Sequence, residues 1–231
     1  MEKPTVVTIR VWDLPTRLFH WALVACVLGS FITVKLGGLW MTWHVRFGLT
    51  ILGLIVFRIV WGFCGPRYAR FAQFVRGPRY VLDYLRGRRP HHAGHNPLGA
   101  LSVLALLASF GFQAASGLFA NDDVMTTGPL AYLSDSLSDT MTDLHDINQW
   151  VMVALVCLHV GAIIWYRRAR GLKLVGPMLH GDAPIAAHAL AEHPAADDSW
   201  RYRLGALLLC AAIAALIWWL QGLAPAADFS Y

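Results

Sequence analysis

Charged residues are scarce in this chain. Asp, Glu, Lys and Arg make up 14% of its 231 residues, against about 25% in an ordinary soluble domain. What charge there is avoids long stretches altogether, which argues against a soluble globular fold. The cysteines are not paired in motifs: Cys26, Cys64, Cys157 and Cys210 include no C-x-x-C. That spacing argues against a disulfide framework and a zinc-type site. No C-x-x-C-H occurs, so covalent attachment of a c-type haem to this chain is excluded. There is no internal repeat. The net charge of +5 does not indicate a nucleic-acid partner, because the positive residues flank apolar runs and follow the positive-inside rule instead.

What is abundant is apolar sequence, at 57%. Five runs stand out: Pro15 to Val34, Trp40 to Phe63, Pro97 to Ala120, Thr142 to Tyr166, and Tyr202 to Gln221. Each is near the roughly 20 residues that cross a bilayer. Helices are the form expected, since isolated strands would leave backbone groups unpaired in lipid. Asn96-Pro97 reads as an N-cap followed by proline at the first helical position. Trp40, Trp43, Trp61, Trp150, Trp165 and Trp200 fall near run ends, as interfacial aromatics do. The first run is long, lacks an A-x-A cleavage site, and is read as retained.

Loop charges give an orientation. Lys3, Arg10 and Arg17 precede or open the first run. Arg67, Arg70, Arg76, Arg79, Arg86, Arg88 and Arg89 lie between the second and third. Arg167, Arg168, Arg170, Lys173, Arg201 and Arg203 lie between the fourth and fifth. Sixteen of the nineteen Lys and Arg residues therefore fall on one side. The loop from Ala120 to Thr142 has none, and carries Asp122, Asp123, Asp135 and Asp139. The basic side is expected to be cytoplasmic, which places the N-terminus there and the C-terminus in the periplasm of a bacterial inner membrane. The stretch from Leu179 to Ser199 is rich in Ala, His and Pro. It reads as a flexible connection whose His180, His188 and His193 are solvated.

Four of the ten histidines lie in or beside apolar runs: His20, His44, His145 and His159. Ionisable groups there call for a partner. His145 and His159 are 14 residues apart, within about 40° of a whole number of helical turns and about 21 Å along the axis. They face one way but are too distant to share a metal ion, a spacing that suits two stacked flat cofactors. The alternating direction of the spans then pairs His20 with His159 and His44 with His145. Zinc would need four converging ligands, and no Cys, Asp or Glu lies at these depths to complete a set. Haem needs two axial ligands and an apolar bundle interior. Arg17 and Arg58 are candidates for the propionates of the cytoplasmic haem, and Arg46 for the periplasmic one. For Arg17 the alternative is a snorkelling anchor. Gly48 and Gly53 either admit a macrocycle or permit close helix contact.

The stretches VWDLPTRLFHW (Val11–Trp21), FRIVWGFCGPRYARF (Phe57–Phe71), GHNPLGA (Gly94–Ala100) and LHDINQWVMVALVCLHV (Leu144–Val160) resemble the bacterial cytochrome b561-type family, which includes the b-type cytochrome subunits of nickel-iron hydrogenases. The resemblance spans Val11 to Arg170. It implies a four-helix core with two non-covalent, bis-histidine b haems, whose ligand positions match His20, His44, His145 and His159. The expected fold is all-α: an integral-membrane four-helix haem-binding bundle over 11–170, a cytoplasmic loop over 171–201, and a fifth, C-terminal transmembrane helix over 202–221. The expected function is electron transfer across the membrane between a periplasmic redox partner and the quinone pool. That partner is a c-type cytochrome or a redox enzyme subunit; the acidic loop is either a candidate to dock it or a merely solvated loop. The alternative is a stand-alone quinone-linked oxidoreductase, resembling relatives that oxidise superoxide, with His95 as hydrogen-bond or proton partner of a quinone. For His95 the competing roles are a helix cap and a propionate contact. A non-redox metal transporter is the third reading. It lacks the paired carboxylates and broken helices such a site often shows.

Overall fold

The structure is a computed structural model that describes residues 5–88, 94–122, 124 and 126–223. Lys3, Arg89 and Asp123 lie outside the described residues, as does the side chain of His188. Strand β1 (Val6–Arg10) leads into helix α1 (Leu14–Leu36), followed by α2 (Met41–Cys64), two short helices α3 (Phe71–Phe74) and α4 (Pro78–Leu85), and α5 (Pro97–Gly117). Helix α6 (Asp135–Arg170) precedes the short α7 (Val175–His180), strand β2 (Asp182–Ala186) and α8 (Trp200–Gln221). Five of these helices, α1, α2, α5, α6 and α8, are long and apolar enough to cross a membrane. The fold is all-α apart from one two-stranded ribbon and an isolated bridge between Asn121 and Thr127.

Helix starts follow from local chemistry. The Asn96 side chain accepts the amide of Gly99 at 2.7 Å, so Asn96 caps α5 with Pro97 at its first position. Asp13 caps α1 in the same way, accepting from the Thr16 amide at 2.9 Å and the Thr16 hydroxyl at 2.7 Å. Helix α6 is longer than the apolar run within it. Its 36 residues make a rod of about 54 Å. Asp135 lies in its first turn and Arg167, Arg168 and Arg170 in its last, the charge order a helix dipole favours. The acidic loop is correspondingly shorter than the sequence suggested, because Asp135 and Asp139 belong to this helix.

The chain divides into two compact units. The first comprises residues 1–20, 58–105 and 155–207, the second residues 21–57, 106–154 and 208–231. The basic loops fall in the first unit, and the acidic loop in the second.

In the first unit β1 pairs antiparallel with β2, with Arg10 opposite Asp182 and Val6 opposite Ala186. The Arg10–Asp182 cross-strand pair is an ion pair at 2.7 Å. The stretch from Leu179 to Ser199 is thus not a plain flexible connection. A helix end, a strand and a packed segment occur within it. Ile9, Val11, Trp12, Tyr68 and Ala196 form a buried cluster against Met178, Ala183 and Ile185. Gly181 at φ +96° turns the chain into β2, and its carbonyl accepts from the amides of Val11 and Trp12. A Cβ at Gly181 would stand 2.7 Å from the Trp12 carbonyl oxygen, so only glycine fits both the backbone and the space.

Asp198 closes this unit. Its carboxylate accepts from the Leu14 amide at 3.0 Å, from Arg10 at 3.0 Å and from Arg203 at 3.1 Å. Asp198, two residues before α8, thereby holds the first residue of α1. Burial opposes ionisation of Asp198, but the hydrogen bonds from Arg203 and Leu14 and the charges of Arg203 and Arg10 outweigh it, holding its pKa below the ordinary carboxylate value.

In the second unit α8 packs on α2 where Gly53 leaves room. A Cβ on Gly53 would lie 3.3 Å from Ile213 and 3.6 Å from Ile217. Gly53 therefore serves helix packing.

Candidate functional site

Among the described residues two clusters of histidines occur, one in each unit. In the second unit His44 of α2 and His145 of α6 bring their rings edge to face, with centroids 6.2 Å apart. Both Nδ1 atoms are already engaged. His44 Nδ1 lies 3.0 Å from the Ser30 carbonyl oxygen and 3.1 Å from the Ser30 hydroxyl. A carbonyl only accepts, so the proton of neutral His44 sits on Nδ1 and the lone pair on Nε2. His145 Nδ1 lies 3.1 Å from the Ser116 hydroxyl, which donates its own proton to the Gln113 carbonyl. Ser116 therefore accepts from His145, and His145 too carries its lone pair on Nε2. Two Nε2 lone pairs on neighbouring rings are what a metal ion with two axial imidazoles requires.

A polar ladder between α5 and α6 holds His145 in place. The Gln113 amide donates to the His145 carbonyl at 3.0 Å, and its carbonyl oxygen accepts from the Asn148 amide at 2.7 Å. Asn148 also donates to the Ser109 carbonyl at 3.0 Å and accepts from the Ser109 hydroxyl at 3.2 Å. Side-chain amides inside an apolar span are stable only with partners of this kind. Gly117 packs against the ring itself. A Cβ there would stand 3.1 Å from His145 Cε1.

Both rings line a cavity of about 400 Å³. Its lining is largely apolar (Val27, Phe31, Leu49, Phe110 and Met152 among them), with Asn121, Asp122, Thr142 and Gln149 among the polar members. Gly48 lines it too, and nothing lies within 4 Å of where its Cβ would be. Of the two glycines singled out in α2, Gly48 borders open space and Gly53 a helix. Arg46 does not line this cavity. Its guanidinium lies 4.9 Å over the Trp43 ring, and Lys35 is the cation that lines the cavity instead.

In the first unit His20 of α1, His159 of α6 and His95 lie within electrostatic reach of one another. His159 Nδ1 is 3.5 Å from the Ser102 hydroxyl of α5. His95 precedes α5 and is clamped between Trp12 and Phe74, at ring-centroid distances of 4.7 and 4.6 Å. Burial first, then the charge of Arg58 and the neighbouring His159 and His20, push His95 down to about 3, so it stands neutral. Its Nδ1 is buried without a hydrogen-bond partner. Arg58 is 3% exposed and lies 4.9 Å over the Phe71 ring, with Asp13 as the carboxylate near it. Its Nη1 has no hydrogen-bond partner, and neither has Arg17 Nε. Arg17 otherwise donates to the Leu179 carbonyl at 2.7 Å. Buried donors without acceptors are costly, and the two arginine N–H groups make this a place where an acceptor from outside the chain would be stabilised. Asp13, 1% exposed, is anchored by Thr16 and by the Trp61 indole at 3.1 Å.

Sequence reasoning brought out the histidines and arginines but passed over Ser30, Ser116, Gln113, Asn148, Lys35 and Asp13. The signal was present, since a Gln or an Asn inside an apolar run needs a partner as a histidine does. Among the described residues, two further histidines lie elsewhere: the Asp182 amide donates to His180 Nδ1 at 3.2 Å, and His193 sits in the connection after β2. Among the described residues no three metal-ligating side chains of the His, Cys, Asp and Glu type converge on one point.

No curated protein and no solved structure matches this chain. The family model for prokaryotic cytochrome b561 matches residues 11–181, about three quarters of the chain. With five helices long and apolar enough to span a membrane and two histidine clusters beside them, the chain belongs to the prokaryotic cytochrome b561 family, membrane-embedded b-type cytochromes that carry electrons.

Proposed function

We propose that the protein holds two b haems, one in each unit, by the pairs His20–His159 and His44–His145, and relays electrons between a periplasmic redox partner and the quinone pool. The observation that carries this reading is the His44–His145 pair. Both Nδ1 atoms are engaged so that both Nε2 lone pairs are available, and the ring centroids lie 6.2 Å apart. These two imidazoles would hold the haem iron. A largely apolar cavity with a few polar lining residues suits a flat macrocycle with carboxylate edges. In the first unit, the orphaned Nη1 of Arg58 and Nε of Arg17 support these two arginines as propionate donors. At the second haem, Lys35 replaces Arg46 as the candidate cation.

Bis-imidazole haem supplies one-electron iron chemistry with no open coordination position. The chain's part is to fix the imidazoles, exclude water and neutralise carboxylates. Ser30 and Ser116 set the tautomers, the Gln113–Asn148 ladder fixes the His145 backbone, and Asp198 fixes the start of the helix that carries His20.

A second reading is favoured by His95. It is a stand-alone quinone-linked oxidoreductase in which the His95 imidazole meets a quinone carbonyl. The two readings separate when purified protein is mixed with quinone and superoxide as the one-electron donor, with no partner subunit: turnover supports the enzyme, and its absence supports the relay. A His95→Ala variant that keeps its haems and an unchanged quinone reaction would rule out the quinone role.

The haem assignment is tested by a dithionite-reduced-minus-oxidised spectrum with a pyridine haemochrome assay. Two b haems per chain are expected, falling to one in His44→Ala and in His159→Ala. A well-folded but colourless protein would refute the proposal.

A further inference from the structure

We propose that a cleft in the first unit, between α3, α4 and the segment after β2, binds the phosphate of an anionic phospholipid from the leaflet it meets. The cleft has a volume of about 210 Å³ and is bordered by Arg67, Arg76, Tyr68, Tyr80 and Gln73, with Glu192 beside them and His95 also in its lining. Arg67 donates to the Glu192 backbone carbonyl at 3.3 Å, and Arg76 to the Gln73 carbonyl at 3.1 Å. Neither guanidinium forms an ion pair with a carboxylate among the described residues. Each carbonyl contact engages one Nη2, which leaves other guanidinium N–H groups for an anion.

The surroundings favour a lipid as the source of that phosphate. Residues 65–88 contain six arginines and one acidic residue, Asp83, which is 3.8 Å from Arg88. Helix α4 lies in this stretch, outside the spans, and exposes Leu82 at 48% and Leu85 at 62%. Apolar side chains beside arginines next to a membrane-spanning helix place such a helix in the interface, with leucines among acyl chains and arginines among headgroups. Phe63, at the end of α2, and Val75, after α3, extend the exposed apolar surface. A free phosphate would satisfy the arginines but would leave these side chains in water. A phospholipid satisfies both.

The experiment is native mass spectrometry of the full-length protein in detergent, titrated with phosphatidylglycerol, phosphatidylcholine or sodium phosphate. One saturable phosphatidylglycerol adduct is expected, with phosphatidylcholine weaker and sodium phosphate unable to displace it. Arg67→Gln/Arg76→Gln is expected to weaken the adduct roughly tenfold or more, and Arg76→Gln alone by part of that. Arg86→Gln/Arg88→Gln, which lie outside the cleft, should leave it unchanged. Arg76→Gln keeps the Arg67–Glu192 contact, so a loss there is not a loss of folding. Equal weakening in both arginine pairs would overturn the site in favour of diffuse attraction. Equal binding of phosphatidylcholine, or full displacement by sodium phosphate, would overturn the lipid assignment.

Discussion

Ser116 offers a quantitative test of how this chain tunes its second-unit histidine pair. Its hydroxyl is buried, accepts from His145 Nδ1 at 3.1 Å and donates to the Gln113 carbonyl at 3.1 Å. Ser116→Ala removes the acceptor with almost no change in volume, leaving one N–H unsatisfied. An acceptor on Nδ1 makes the imidazole a stronger donor to iron and favours the oxidised metal. A neutral hydrogen bond is worth about 0.5–1.5 kcal/mol net. If all of that difference separates the two oxidation states, and ~59 mV corresponds to a tenfold change for one electron, the potential rises by roughly 20–65 mV. The assay is a spectroelectrochemical titration resolving two b components. One component should move upward and the other stay in place. Ser102→Ala, whose hydroxyl lies 3.5 Å from His159 Nδ1, should move the other component by less, because that hydrogen bond is longer. If Ser116→Ala leaves both midpoints unchanged, or moves both equally, the tautomer argument fails.

The other predictions use the same contacts. Gly48→Leu should fill open cavity space and reduce the haem content from two to one per chain, whereas Gly53→Leu should keep two haems and lower thermal stability, because its side chain meets Ile213; the haemochrome assay and a melting curve separate them. Gln113→Leu and Asn148→Leu should each lower stability by about 1–3 kcal/mol, since each strands a partner amide. The double variant should cost less than the sum of the two, as read from unfolding midpoints. Asp198 has a depressed pKa, so the stability it contributes is present above its unfolded value near 3.8 and is lost as pH falls through its lower folded value. Hydrogen exchange at the Leu14 amide should therefore be protected from pH 5 to 8 once intrinsic exchange rates are corrected for, and should speed up in Asp198→Asn at neutral pH.

The amino-acid sequence by itself determined the membrane class, the number of helices long and apolar enough to span a membrane, and the histidines that the structure gathers into clusters. The reason is that lipid imposes local rules: a span must be apolar for about 20 residues, must be helical, and cannot carry an idle histidine. The Asn96-Pro97 start of α5 was legible for an equally local reason, a cap satisfying an amide three residues on. The bounds of α6 were not, because its last turns at both ends are polar and lie beyond the apolar run. The ribbon of β1 and β2 was hidden too. It pairs segments some 175 residues apart, and its second strand, DAPIA, has little strand character of its own. Only the tertiary structure showed that Gly48 borders a cavity and Gly53 a helix, that Arg46 stacks on Trp43 while Lys35 lines the cavity, and that Ser30 and Ser116 govern the proton positions of His44 and His145. These are facts of direction and distance between distant segments. Residue type and spacing along one helix define which groups need partners, and packing decides which partner each one finds.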